Sequence, residues 1–183
     1  MNCLPVIDGG WQVIAADPPW RFASNSKAKP GRNPIRHYDC MTIQQLCDLL
    51  VGQVAAKDAL LLMWVTAPFV EQAFKVVAAW GFKRKSEIVW DKGMIGTGYW
   101  ARNQHEPLWI CRRGKFPCDK PALFPRSVIR ERRREHSRKP EWPQEIVQGR
   151  FPEMRKLELF ARRYRAGWTV HGDHVGMFDG VIV

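Results

Sequence analysis

No stretch constrains the fold of this chain more than Asp17-Pro18-Pro19-Trp20. It follows Trp11-Gln12-Val13-Ile14-Ala15-Ala16, an apolar run with β-branched residues at its centre, which reads as a buried strand. Proline has no N–H to give to a ladder, so the strand must stop at Pro18. An acid therefore stands at the carboxyl end of a strand, beside two carbonyls of fixed direction and one flat indole. That set suits an amino group on a flat ring. The Asp17 carboxylate and the Pro18 carbonyl accept its two N–H bonds, and the Trp20 face stacks on the ring. The plain alternative, a strand-end turn with a core tryptophan, stays open on four residues alone.

Downstream the apolar pattern alternates between strand and helix. Thr42, with Gln45 three residues on, forms a capping box for a helix running to about Ala55, with Ile43, Leu46, Leu49, Leu50 and Val54 on its inner face. Ala59 to Val65 reads as a second buried strand. Thr66 then caps a helix through about Trp80, with Phe69, Ala73, Val76, Val77 and Trp80 inward and Gly81 at its end. Ser86 to Trp90 is a third strand, His105 to Cys111 leads into a fourth, and Ser127 to Arg130 is a short one. Glu141 to Arg150 is a helix, Leu157 and Leu159 alternate as in a strand, and Trp168 to Gly172 is the last strand and turn. This order argues for a mainly parallel sheet with helical crossovers, whose ligands sit at the carboxyl ends of the strands. A chain of 183 residues, 45% hydrophobic, holds one such domain, 1–183, and no second.

The formal net charge is +11, which points to a polyanionic partner. Three segments are expected to face it: 21–37, 91–102 and 126–140. Lys27, Lys29, Arg32 and Arg36 lie in the first, and Arg130, Arg132, Arg133 and Arg134 in the third, where such clusters neutralise phosphates. The competing readings are a solvated disordered loop for the first, a flexible hairpin connection for the second and a solvated charged face for the third. The five cysteines, Cys3, Cys40, Cys47, Cys111 and Cys118, are odd in number and contain no CxxC, so they read as reduced thiols of a cytosolic protein. No spacing suits a structural metal, and no apolar run is long enough to span a bilayer. No N-terminal targeting signal is recognised. Glu106 is expected to pair with a loop arginine and receives no catalytic role.

Beyond these patterns, Asp17-Pro18-Pro19-Trp20 after an apolar strand resembles the signature of the MT-A70 family of adenine-N6 methyltransferases. Further matches follow in order: Met63-Trp64-Val65-Thr66, Trp80-Gly81-Phe82, Gly96-Thr97-Gly98-Tyr99-Trp100, Ser137-Arg138-Lys139-Pro140 and the run Lys156 to Arg162. They cover about residues 11–180. The resemblance implies a Rossmann-like class I methyltransferase fold in permuted order, with the catalytic motif N-terminal and the donor-binding motif C-terminal. It implies S-adenosylmethionine as methyl donor and no metal. By position it makes Asp17, Pro18, Pro19 and Trp20 catalytic and sets Tyr38 and Trp100 near the target base. It assigns Asp17, Lys139, Glu158, Phe160, Arg162, Tyr164, Arg165, Asp173 and His174 to the donor. Gly172-Asp173-His174 departs from the family's Gly-Asn-Glu/Gln, which leaves a weakened donor affinity open.

The resemblance supports adenine-N6 methylation of DNA in a bacterial or phage-infected cell, because the family's bacterial and phage members act on DNA and no RNA-targeting module is attached. The same chemistry on RNA and a non-catalytic nucleic-acid-binding subunit are the alternatives. The inactive partners lose the acid that this chain keeps at Asp17. A homodimer is one way for so small a domain to grip nucleic acid.

Overall fold

The computed structural model describes residues 3–21, 40–96, 100–117, 122–124, 126–135 and 137–179. The run opened by Trp11 becomes strand β1, Trp11–Ala16, almost wholly buried. It pairs in parallel with β2 (Ala55–Trp64) on one side and with β6 (Lys156–Leu159) on the other. With β3 (Lys83–Asp91), β4 (His105–Arg113), β5 (Val128–Arg130) and β7 (Thr169–His171), the described residues form one seven-stranded sheet in the order β5-β3-β4-β2-β1-β6-β7. Only β4 runs against its neighbours. The sheet is the Rossmann-like, mainly parallel one that the sequence predicts.

β4 is reversed for a local reason. The connection from β3 is a hairpin, in which Lys92 N–H donates to the Gln104 carbonyl and Gly96 N–H to the Asn103 carbonyl. Among the described residues of this connection there is no crossover helix, and a parallel return would need one.

Side-chain alternation divides the core into two layers. Ile14, Ala16, Leu61, Met63, Leu157 and Leu159 face one layer, where α1 (Ile43–Cys47), α2 (Val51–Val54) and α3 (Val70–Ala79) pack. Val13, Ala15, Leu60, Leu62, Ile88 and Leu108 face the other, where α4 (Trp142–Arg150) brings Val147. Both layers are needed, because a parallel sheet must be covered on its two faces.

Four element boundaries differ from the sequence reading. The helix expected from Thr42 to Ala55 is two pieces. The capping box at Thr42 is present, but α1 ends at Asp48, whose carboxylate accepts from Gln44. α2 then sits so that Gly52 lies against the Trp80 carbonyl, where a Cβ would be only 2.9 Å away. The break leaves Leu50, expected inward, 57% exposed. Thr66 makes no side-chain cap; Pro68 lies in a 3-10 turn, Ala67–Phe69, that precedes α3. β2 and β3 both begin earlier than expected, extended by pairing with β1 and β4.

Lys156 is 2% exposed, and its ammonium donates to the carbonyls of Phe151, Pro152 and Met154, so it closes the turn between α4 and β6. Burial pushes the Cys111 thiol up to about 12, and burial also raises that of Cys47, which packs at the edge of the core. Among the described residues no helix is long and apolar enough to cross a membrane.

The topology places the site. The carboxyl ends of β1, β2, β3, β6 and β7 and the amino end of β4 all reach one edge of the sheet.

Candidate active site

At that edge a cavity of about 770 Å³ opens, within the usual range of small-molecule sites, roughly 300–1,000 Å³. Its walls include Asp17, Pro18, Pro19 and Trp20 from the end of β1, Thr66 after β2, Trp90 and Lys92 at the end of β3, and Glu106 at the start of β4. Arg133, Arg134, Ser137, Arg138 and Lys139 come from the basic segment, Phe160 and Arg162 follow β6, and Asp173 and His174 follow β7.

Asp17 is the centre of the arrangement. Lys139 Nζ lies 2.9 Å from its Oδ1 and 3.1 Å from its Oδ2, and Arg162 donates to Oδ2 at 2.8 Å. A carboxylate offers about four lone-pair sites, so it retains acceptor capacity toward a ligand. Lys139 also stands 3.4 Å from Glu106, which accepts from Lys92 at 3.0 Å. Burial pushes the Glu106 carboxyl up, but Lys139 and Lys92 more than reverse this and hold it below the ordinary carboxylate value. Burial pushes Lys139 down, and Asp17 and Glu106 outweigh it, so the ammonium sits above its ordinary value. Both groups are therefore charged at neutral pH.

The prolines are less free than the sequence suggests. The Pro18 carbonyl accepts Trp20 N–H at 2.8 Å and the Pro19 carbonyl accepts Met41 N–H at 2.9 Å. Each keeps one lone pair for a further donor. Trp20 is 4% exposed, its Nε1 donates to the Trp64 carbonyl at 3.4 Å, and Phe69 stacks on it with ring centroids 5.4 Å apart. One indole face is thus covered by the protein itself, and the ring forms a fixed wall of the cavity.

A smaller cleft of about 50 Å³ adjoins this site behind Asp17 and Phe160. Glu141 lies in it with Arg165, which forms a close pair with Glu141 Oε2, with Arg163 at 3.1 Å and with Arg138 at 3.5 Å, while Arg134 of the large cavity's wall reaches Glu141 at 3.4 Å. Glu158 accepts from Arg165 and from Gln144, each at 3.1 Å. Burial holds Glu158 above the ordinary carboxylate value, only partly offset by Arg165. Glu141 ends below it, because Arg165 and Arg163 outweigh its burial.

The backbone at this end of the sheet is under steric demand. Phe160 has φ 60° and Ser137 φ 59°, both in the left-handed region that non-glycine residues rarely occupy. Gly172 lies so near Ala161 that a Cβ would meet its carbonyl at 2.6 Å. That approach draws the end of β7 onto the end of β6 and carries Asp173 and His174 to the cavity wall.

The residues singled out in the sequence fall into groups. Asp17, Pro18, Pro19, Trp20, Lys139, Phe160, Arg162, Asp173 and His174 come together on the large cavity. Glu158 and Arg165 sit in the small cleft, engaged with the protein's own charges. Tyr164 is 65% exposed and Trp100 fully so, and both stand outside the two linings. Of the basic cluster, Arg133 and Arg134 line the cavity, whereas Arg130 pairs with Asp91 at 2.9 Å. Arg132 and Arg133 are exposed with no salt bridge among the described residues, while Arg134 is held by Glu141. Lys27, Lys29, Arg32, Arg36, Tyr38 and Cys118 lie outside the described residues.

Sequence reasoning missed Lys92, Glu106 and Glu141. Among the described residues Glu106 pairs with two lysines, Lys92 and Lys139, and with no loop arginine. Its signal was available, an acid at the entry of the apolar run Pro107 to Cys111, where burial demands a counter-charge. Glu141 is a carboxylate between two arginine-rich segments, 130–138 and 162–165, and either one needs an anion.

The residues present suit a zwitterionic nucleoside donor. Lys139 and Arg162 offer cations for a carboxylate, Asp17 and Asp173 offer acceptors for ammonium or ribose hydroxyls, and Phe160 offers apolar surface.

A family model described as MT-A70 matches residues 11–174. The type II methyltransferase M.MunI of a Mycoplasma species is 30% identical over 178 residues, which cover 88% of this chain and 76% of that protein. An N(6)-adenosine-methyltransferase MT-A70-like protein of Arabidopsis thaliana is 29% identical over 177 residues, 91% of this chain but 24% of that protein. The N6-methyladenosine RNA methyltransferase MTA1 of Pyricularia oryzae is 29% identical over 181 residues, 92% of this chain and 48% of that protein. The chain thus spans a quarter to a half of these two eukaryotic relatives.

Proposed function

This chain belongs to the MT-A70 family, and from that premise we propose that it transfers a methyl group from S-adenosylmethionine to the N6 amine of adenine in DNA. The observation that carries the reading is Asp17, held on the cavity wall at the tip of β1 beside two proline carbonyls and the Trp20 wall.

The adenine amine is a weak nucleophile because its lone pair is delocalised into the ring. Asp17 and the Pro18 carbonyl accept its two N–H bonds, turn them from the ring plane and raise electron density on nitrogen. Pro19 and Trp20 confine the ring. Lys139 and Arg162 hold Asp17 in place and are positioned to receive the donor's carboxylate, while Asp173 accepts from its ribose. The donor, when bound, supplies an electrophilic methyl on sulfur. The remaining demand is in-line placement, which positioned groups can meet with large effect.

DNA is preferred over RNA on the likeness to M.MunI, a type II methyltransferase 30% identical over 178 residues. Other relatives at similar identity are named for adenosine or RNA. Those names favour RNA as the second reading. A cytoplasmic setting, with nucleic acid as the partner, goes with either substrate.

The test is incubation of the full chain with methyl-labelled S-adenosylmethionine and matched DNA and RNA oligonucleotides, followed by identification of the labelled nucleoside. N6-methylated adenine in DNA is expected. Label in RNA alone makes the second reading the right one, and label in neither overturns both. Asp17→Ala is expected to reduce transfer by about 10²–10³-fold, the size of losing one preorganised polar group at a reacting centre. Undiminished transfer refutes the mechanism.

A further inference from the structure

The hairpin between β3 and β4 carries an exposed apolar end that the cavity does not use. Met94 is 39% exposed, Ile95 65% and Trp100 101%. Side chains of this size in water mark a contact surface when they cluster.

The stalk beneath them is built. Asp91 Oδ1 accepts from Gly93 N–H at 2.8 Å and from Gln104 Nε2 at 2.9 Å, and Arg130 binds its other oxygen. Lys92 N–H donates to the Gln104 carbonyl and Gly96 N–H to the Asn103 carbonyl, with Met94 and Ile95 in the bend between the two bonds. Gly96 and Asn103 are so close that a Cβ on Gly96 would lie 2.4 Å from the Asn103 carbonyl oxygen. Trp100 lies beyond that last bond. The foot of the stalk is the cavity wall itself: Trp90, Lys92 and Glu106 line it, and the Lys92–Glu106 pair ties the two strands together. A hydrogen-bonded arm therefore rises from the rim of the cavity and presents apolar side chains outward.

The cations around it say what the arm meets. Arg102 is exposed on the arm. Arg132 and Arg133, just past β5, are exposed and make no salt bridge among the described residues. The segment carrying Arg132 and Arg133 joins the foot of the hairpin, where Glu131 N–H donates to the Asp91 carbonyl. Apolar side chains on a surface that also exposes cations fit a nucleic-acid duplex, whose phosphates lie outside and whose base steps are apolar within.

Asp17 stands at the tip of a buried strand on the cavity wall, its side chain 21% exposed. Chemistry on a paired base in such a cavity requires that base to leave its stack. A base brought to it must leave the duplex, at a cost of a few kcal/mol, and leaves a gap behind. We propose that Trp100, backed by Ile95 and Met94, is a wedge that enters a DNA duplex and fills the space vacated by the flipped adenine. This rests on the reading of the cavity as a base-modifying site. It gives Trp100 a role on the duplex in place of the stacking on the target base that the family resemblance suggests.

The test compares the full chain with Trp100→Ala and Trp100→Phe on one DNA, as duplex and after heat denaturation to single strands. Aromatic stacking on a base is worth about 1–3 kcal/mol, or roughly 5–150-fold. The ratio of kcat/KM on duplex to that on single strands is expected to fall about 10-fold or more in Trp100→Ala and to return to within about 3-fold of the parent in Trp100→Phe. Equal losses on both forms mean that Trp100 stacks on the target base, and they overturn the wedge. An unchanged ratio also overturns it, as does a change in oligomeric state on sizing, which makes the tip a protein interface. If the parent chain labels no DNA in either form, the base-modifying reading fails and takes the wedge with it. If the parent labels DNA and the ratio does not move, the wedge alone fails.

Discussion

Two clusters of charge sit side by side at the end of the sheet, and they are assembled differently. Around Asp17, partners meet across long stretches of chain: Lys139 is 122 residues away and Arg162 is 145. That cluster faces the large cavity, where a ligand can compete for its members. Around Glu141, partners are near in sequence: Arg134 at 7 residues, Arg163 at 22 and Arg165 at 24. That cluster is centred on the small cleft, with Arg134 and Arg138 also reaching the large cavity, and it ties the basic segment to the chain that follows β6. The first exists only once the sheet has closed, and it is available for chemistry. The second is a brace. Charge pairs of similar length thus serve different ends according to what else can reach them.

The largest effects should separate the two. Asp17→Asn is expected to lower methyl transfer by about 10²–10³-fold. Its cost in stability should be about 1 kcal/mol, a Tm shift of roughly 2–4 °C for a chain of this size, because Lys139 retains Glu106 and Arg162 retains the Ser137 carbonyl. Glu141→Gln should do the opposite. It leaves four arginines without their shared anion, and breaking a buried pair from one side costs about 3–5 kcal/mol, a Tm lower by roughly 6–20 °C. Methyl transfer measured well below that Tm should stay within about 3-fold of the parent, on the scale where 1.4 kcal/mol is tenfold. Equal Tm losses in the two variants would erase the distinction.

Proton linkage sharpens it at a smaller scale. Glu106, in the Asp17 cluster, has a carboxyl held below its ordinary value of about 4.3. Its contribution to stability is present above that ordinary value and is lost as pH falls through the lowered one. Glu158, beside Glu141, is held above the ordinary value by burial. Its contribution is fully present below about 4.3 and is lost as pH rises through the raised value. Melting curves of the parent, Glu106→Gln and Glu158→Gln from acid to neutral pH read both. The advantage of the parent over Glu106→Gln should grow with pH, and its advantage over Glu158→Gln should shrink. Slopes of the same sign would mean that the two carboxylates share one environment.

The sequence made some of this arrangement readable and hid the rest for physical reasons. β1 and its stop at Pro18 were legible, because an apolar β-branched run followed by two prolines has few other solutions. The mainly parallel order followed from spacing, but the reversal of β4 did not. It depends on a hairpin laddered between Lys92 and Gln104, and no apolar period records that. The helix after Thr42 was over-extended because its period continues through Leu50, while the close approach of Gly52 to Trp80 is a tertiary demand. At the site, motif residues such as Asp17, Lys139 and Arg162 could be chosen one by one. Their mutual pairing could not, since no local rule links residues more than a hundred positions apart. The same reason hid the place of Glu106 and Glu141.

The smallest effects test where the brace ends and the phosphate-facing surface begins. The arginines at 132, 133 and 134 look alike in the sequence, yet Arg134 is turned to Glu141 and the lysine carbonyl at 139, while Arg132 and Arg133 are exposed with no salt bridge among the described residues. Each phosphate contact adds about 0.9 to the slope of log K against log salt on duplex DNA. Arg132→Ala and Arg133→Ala should therefore each reduce the slope for DNA binding by about 1, with Tm unmoved. Arg134→Ala should leave the slope nearly unchanged and lower Tm by roughly 2–4 °C, the mark of about 1 kcal/mol lost from the brace. Fluorescence anisotropy across a salt series reads the slope, and a melt of the same samples reads the Tm. If Arg134→Ala moves the slope as much as its neighbours do, Glu141 releases that arginine when nucleic acid binds, and the brace is itself part of the binding surface.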